Sequence, residues 1–124
     1  MKIAFISDLF LSDGIIRGYK VDAKHSHTPI DVQVYDFFII SNFINMPESL
    51  KESLYDKNYI IYEHDHKYLK NRNPSVFPDF KAPPHMIINE KFYRCARAVF
   101  CQSSIHAEVV RKNLSIRNVI NAGC

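Results

Sequence analysis

Glycine is scarce in this chain, with three among 124 residues. The dinucleotide-binding fingerprint and the phosphate-binding P-loop are both absent, and each needs glycines at fixed spacing so that backbone amides can approach phosphate. Oxidoreductase and nucleotide-hydrolase readings of those kinds therefore fall. Cysteine is as sparse: Cys95, Cys101 and Cys124 are odd in number and show no C-x-x-C spacing. Cys95 and Cys101 lie in apolar context and read as buried free thiols, which fits a reducing compartment. No apolar run approaches the roughly 20 residues that span a bilayer. Asp8 breaks the amino-terminal apolar run far short of a signal-peptide core. No serine or cysteine sits in a nucleophile-elbow pattern. The expectation is a cytoplasmic protein with no membrane span.

Excess charge is modest too. The chain has 16 basic and 13 acidic residues, a formal net charge of +3 and a pI near 8.8. That balance gives no argument for nucleic acid, but it suits a small anionic ligand. Hydrophobic residues make up 47% and charged residues 23%, an ordinary globular balance. The length suits a single domain over residues 1–124.

Against these absences stand five short apolar runs: Lys2 to Ser7, Tyr35 to Asn42, Asn58 to Glu63, Ala98 to Gln102, and Asn118 to Asn121. Runs apolar on both faces that close in polar residues are the signature of buried parallel strands. Helices fall between them. Pro47 suits a first helical position, with Leu50 and Leu54 on one face. Ile88, Phe92 and Cys95 or Ala96 mark a second helix. Ser103 or Ser104 caps a third, whose inner face is Ile105, Val109, Val110 and Leu114. The alternation predicts an α/β fold, a Rossmann-like three-layer sandwich around a mostly parallel sheet. In the first crossover, residues 9–34, Gly14 and Gly18 weaken the helical signal. Tyr19, Val21, Ala23 and then Ile30, Val32, Val34 alternate about a turn at residues 25–29, which predicts a β-hairpin there. Residues 67–85 form a proline-rich loop of a length that is often functional.

In open α/β sheets, ligands bind beyond the carboxyl ends of the strands. Those ends supply Ser7 and Asp8, then Ser41 and Asn42, then Glu63-His64-Asp65-His66, then Gln102, Ser103 and Ser104. In extended backbone His64 and His66 share one face while Glu63 and Asp65 share the other. An Asp–His pair can orient a tautomer and act as a general base near neutral pH. His64, Asp65 and His66 are therefore the candidate catalytic residues. Asp8, Ser41, Asn42, Glu63, Lys67, Arg72, Gln102 and Ser103 are the candidates for substrate binding. Lys67, Lys70, Arg72 and Lys81 interleave with Tyr68, Phe77 and Phe80, a mixture that holds phosphates and stacks on sugars; a solvated loop pinned by its aromatics is the plain alternative. Asn71 to Pro74 reads as a turn held by side-chain hydrogen bonds. His64-x-His66 and His25-x-His27 together offer four imidazoles, but no other ligand spacing supports them, so no metal or cofactor is expected. His85 is read as a loop residue and His106 as an exposed helix residue.

Three blocks, Met1 to Asp8, Tyr35 to Asn42 and Phe92 to His106, taken in order and spacing, resemble the amino-terminal domain of GT-B-fold, glycogen-synthase-like retaining glycosyltransferases. The resemblance touches about two-thirds of the chain. It implies a domain that contributes the acceptor side of a sugar-transfer site, with the nucleotide-sugar donor held mainly by a second, carboxyl-terminal domain that these residues do not include. It places Tyr62 to His66 where such enzymes set a histidine or other polar group facing the sugar. The family's glycine-rich loop after the first strand is reduced here to Asp13-Gly14 and Gly18. By this reading the partners are a sugar acceptor and a nucleotide-sugar donor, with no nucleic acid. Two rivals stand beside it. Ile6-Ser7-Asp8-Leu9-Phe10 resembles the opening Asp-x-His strand of metallophosphoesterases, but Phe10 takes the histidine position and the later motifs are missing. The other rival is a non-catalytic binding or assembly module of the same fold, which could form a homodimer.

Overall fold

The apolar runs become strands. The computed structural model describes residues 1–8, 13–16, 18–26, 28–63, 66–114 and 116–121. Its strands are β1 (Ile3–Ser7), β2 (Gly14–Ile16), β3 (Tyr19–His25), β4 (Phe37–Ile40), β5 (Tyr59–Glu63), β6 (Ala98–Cys101) and β7 (Val119–Asn121). They form one sheet in the order β2-β3-β1-β4-β5-β6-β7. Every neighbouring pair is parallel except β2 with β3. Leaving out β2, the six parallel strands run second-first-third-fourth-fifth-sixth along the sheet, the order of one common doubly wound fold. The architecture is α/β with a mostly parallel seven-stranded sheet, compatible with a Rossmann-like fold.

A hairpin does occupy the first crossover, and its Tyr19–His25 strand holds the predicted first arm, but the partner arm differs. Gly14–Ile16 pairs antiparallel with Tyr19–His25, across a turn where Gly18 adopts φ 83°, a left-handed conformation that glycine takes without a Cβ clash. Val32–Val34, the predicted second arm, is instead a turn of 3-10 helix, and Asp31 caps it by accepting from the Gln33 amide at 3.1 Å. The local Asx hydrogen bond outcompetes the weak alternation signal.

Among the described residues the α-helices are α1 (Glu48–Leu54), α2 (Glu90–Cys95) and α3 (Ser104–Leu114). Pro47 sits at the cap of α1 rather than inside it. In α2 the buried residues are Phe92 and Tyr93, whereas the predicted Ile88 lies before the helix, cut off by the left-handed Asn89 (φ 59°). The inner stripe of α3 is Ala107, Val109, Val110 and Leu114. Ile105, expected on that stripe, is 74% exposed, because it stands two residues, about 200°, away from Ala107.

One sheet face supplies Ala4, Ile6, Phe38, Ile40, Tyr59, Ile61, Val99, Cys101 and Val119 to a core shared with all three helices. Tyr59 stacks on Phe92 at 4.9 Å and donates from its hydroxyl to the Phe92 carbonyl. The opposite face carries a smaller cluster of Ile3, Val21 and Ile39, with Phe5, Phe37 and Ile60 packed against it and no residue of α1, α2 or α3 in it.

The long loop is exposed along much of its length but is strapped down. Tyr68 and Leu69 are fully buried, and a bridge pairs Leu69 with Ile87. Asn113 of α3 accepts from the Ala82 amide at 2.8 Å and donates to the Phe80 and Val109 carbonyls, each at 2.9 Å. Asn71 and Asn73 hold the predicted turn: the Asn71 amide side chain donates to Asn73 O, and Asn73 Oδ1 accepts from the Ser75 amide. Asn113→Ala is expected to cost about 2 kcal/mol of stability from three lost bonds, read as a lower urea midpoint, with new protease cleavage at residues 77–83. An unchanged midpoint and cleavage pattern would contradict the strap.

Candidate functional site

Because all six strands from β1 and β3 through β7 are parallel, their carboxyl ends share one edge, as the sequence predicts. Three groups of side chains lie along it. The first is at the switch point of the strand order, between β1 and β4. The Asp8 amide donates to the Asn42 carbonyl at 2.6 Å. The Asp8 carboxylate accepts from the Ser26 hydroxyl and from the Asn45 amide. Ser41 is buried and its amide donates to Ile6 O at 3.0 Å. Asp8, Ser41 and Asn42 thus tie the loops beyond β1, β3 and β4 together, so their backbone and carboxylate groups serve the scaffold.

The second group surrounds Glu63, which is 1% exposed. Glu63 ends β5 on the same sheet face as Tyr59 and Ile61, so its side chain enters the helical core rather than a groove. Burial is the largest influence on it and raises its pKa above the usual glutamate value; the Tyr93 hydroxyl, the Lys67 ammonium and the Lys67 and His66 amides act the other way. Lys67, 2% exposed, is equally interior. The same carboxylate adds to the burial that pushes the Cys101 thiol up to about 12, so Cys101 is an inert core thiol. Cys95 is half-buried and free.

The third group is a groove of about 320 Å³ whose walls include His66, Arg72, Phe80, Ser103 and His106. His66 Nδ1 lies 2.7 Å from the Tyr68 hydroxyl, which burial keeps protonated. That hydroxyl can therefore donate to a neutral imidazole or accept from it. The His66 ring packs on the His106 ring at 4.3 Å. Ser103 Oγ accepts from the His106 amide at 3.1 Å and caps α3. His66 and Arg72 both adopt left-handed φ, 53° and 55°, a conformation that costs a non-glycine residue and persists where surroundings impose it.

Of the sequence candidates, His66, Arg72 and Ser103 come together in the groove. Glu63 is buried in the core, Lys67 is buried in the lining of a separate cavity, and Asp8, Ser41 and Asn42 form a separate tie. Gln102 is exposed beside Ser103. His64 and Asp65 lie outside the described residues, and so does His27. Among the described residues no group of three or more His, Cys, Asp or Glu side chains could hold a metal ion. No described helix is long and apolar enough to cross a membrane. His106 departs from its reading as an exposed helix residue: it is half-buried against His66. Tyr68 and Tyr93 carried no signal beyond their aromatic character, because their roles arise from contacts across the fold. The chain matches no family model, no curated protein and no solved structure.

The raised Glu63 pKa fixes a sign. The unfolded carboxyl ionises near 4.5 and the folded one higher, so this group's stabilising contribution is complete below 4.5 and falls as pH rises toward the folded value. Glu63→Gln should therefore gain stability relative to the parent as pH is raised from 4 to 8, measured by urea midpoints. Parallel profiles for the two proteins would contradict the burial of an ionisable group there.

Proposed function

We propose that this domain seats the acceptor of a sugar-transfer reaction, as the amino-terminal half of a GT-B glycosyltransferase. The observation that carries the reading is the groove at the carboxyl edge of the sheet, where an imidazole, a guanidinium, a hydroxyl and an aromatic ring converge. Sugars are held by such mixtures, since rings pack on their C–H faces while polar groups bond their hydroxyls. His66, with its ring oriented by Tyr68 and His106, polarises or positions the acceptor hydroxyl; His64 and Asp65 keep their proposed catalytic role. Arg72, Ser103 and Gln102 shape the acceptor groove. The donor nucleotide sugar belongs to a partner α/β domain, so this chain alone binds sugar without transferring it. A three-layer arrangement is part of the same proposal, with the layer over the face built on Ile3, Val21 and Ile39 supplied from outside the described residues.

A second reading, the non-catalytic assembly module, is favoured by one observation. The face away from the helices exposes Tyr19, Tyr62 and Ile120 at 43%, 40% and 45%, which suits pairing of two copies through their sheets. Saturation-transfer NMR with a panel of mono- and disaccharides separates the two. The transferase reading predicts weak binding that His66→Ala reduces about tenfold, a loss of one good hydrogen bond. A sedimentation dimer with no sugar response, or binding untouched by His66→Ala, would overturn it.

A further inference from the structure

The groove at the carboxyl edge has two walls, and they are fastened differently at their two ends. One wall is the chain that follows β5, with His66, Arg72 and Phe80; the other is α3 and the residue before it, with Ser103, His106 and Val109. Toward the carboxyl end of α3 the walls are joined by hydrogen bonds. Asn113 donates to the Phe80 carbonyl at 2.9 Å, Lys112 Nζ to the Asp79 carbonyl at 3.0 Å, and Lys81 Nζ to the Lys112 carbonyl at 3.0 Å. None of those donor and acceptor types titrates in mild acid. Toward the amino end the walls meet at two imidazoles. The His66 and His106 rings lie with centroids 4.3 Å apart and planes inclined by 32°, and both residues are half-buried. Histidine is the side chain whose charge changes in mild acid, so this end of the junction answers to protons and the other does not.

The pair tolerates one proton. An imidazolium is attracted to the face of a neutral ring, and the Tyr68 hydroxyl, 2.7 Å from His66 Nδ1, can accept from a cationic ring. A second proton sets two cations against each other beside a third, the Arg72 guanidinium of the same groove. Among the described residues the lining holds no carboxylate to offset them. The carboxyl of Glu63, at the end of β5, lies in the core, where the Lys67 ammonium and the Lys67 and His66 amides act on it. Cys101 of β6 is a core thiol that burial keeps neutral. On α3, Glu108 is exposed two residues from His106, about 200° around the helix, and Arg111 donates to the Val119 carbonyl at 3.0 Å. Asp79 of the loop is exposed. His64 and Asp65 precede His66 outside the described residues. His106 also lies in the first turn of α3, where the helix dipole opposes an added cation.

We propose that the His66–His106 contact is a proton-operated clasp between the two walls of the groove. With no proton or one on the pair, the rings stay together and the groove keeps its shape. With two, the rings part and the walls separate at the amino end of α3, while Asn113 and Lys112 hold them at the other end. The sign follows from linkage: the parted form takes the second proton more readily than the closed form, so falling pH favours parting. A ligand that spans both walls is then released in mild acid. The clasp belongs to the His66 groove but rests on the ring contact, whatever the groove binds.

Proton NMR of the histidine rings in the 124-residue chain, taken from pH 8 to pH 4, tests this. The His66 and His106 signals should each move in two separated steps, because neighbouring charges couple their titrations. A ring-to-ring nuclear Overhauser contact should persist through the first step and be lost at the second. Amide shifts at the second step should gather in residues 66–75 and 103–107 and leave 109–113 unmoved. In His106→Gln the His66 signal should move in one step, at a higher pH than the parent's second step; His66→Gln should do the same to His106. A ring contact that survives both steps would overturn the proposal. So would single steps in the parent that losing the partner ring leaves unshifted, or collapse of the whole amide spectrum at the second step. No sugar enters the experiment, so its failure is distinct from failure of the transferase reading.

Discussion

A helix joining two neighbouring parallel strands returns to the sheet on one side only, because right-handed crossovers are strongly preferred. From β4 onward the strands are laid down in a single direction across the sheet. α1, α2 and α3 consequently share one face and one core. The link from β1 to β3 runs the other way, and such a link would ordinarily carry a helix onto the opposite face. Here its described part is a hairpin that lengthens the sheet at its edge. That single constraint explains both a thick core on one side and a thinner apolar cluster on the other.

The same constraint sets where polarity can collect. Parallel strands bring all their polar endings to one edge, and side chains there alternate between the two faces. Glu63 falls on the helical side and is drawn into the core with Lys67, Tyr68 and Tyr93. His66, three residues beyond, takes a left-handed backbone and turns its ring to Tyr68 and His106. The loop carrying these residues is fastened to α3 by Asn113. The groove therefore has α3 as one wall and a loop fastened to that helix as the other. Arg72 borders both the groove and the cavity that Lys67 lines, so the two spaces share one wall.

Most of the fold was legible in the sequence because its strands read as short, nearly continuous apolar runs. β1, β4, β5, β6 and β7 fall within a residue or two of their expected places. β2 was hidden because three residues beside two glycines carry almost no periodicity, and Val32–Val34 misled because alternation cannot show that Asp31 will cap a turn. The site was half legible. Strand-end position pointed to His66 and Ser103, since topology alone brings those ends together, while the basic and aromatic composition of the long loop pointed to Arg72. Strand-end position could not show that Glu63 turns inward, because the parity of a strand's last residue depends on register.

The central claim is that the carboxyl edge of this sheet is where the molecule meets its ligands. An amide chemical-shift map of the whole chain against a mixed library of small polar compounds tests that most directly. The account predicts that perturbed residues gather in 41–48, 66–75 and 102–107. Hits gathered instead at the amino ends of the strands, around Lys2, Asp36, Asn58 and Arg97, would contradict it.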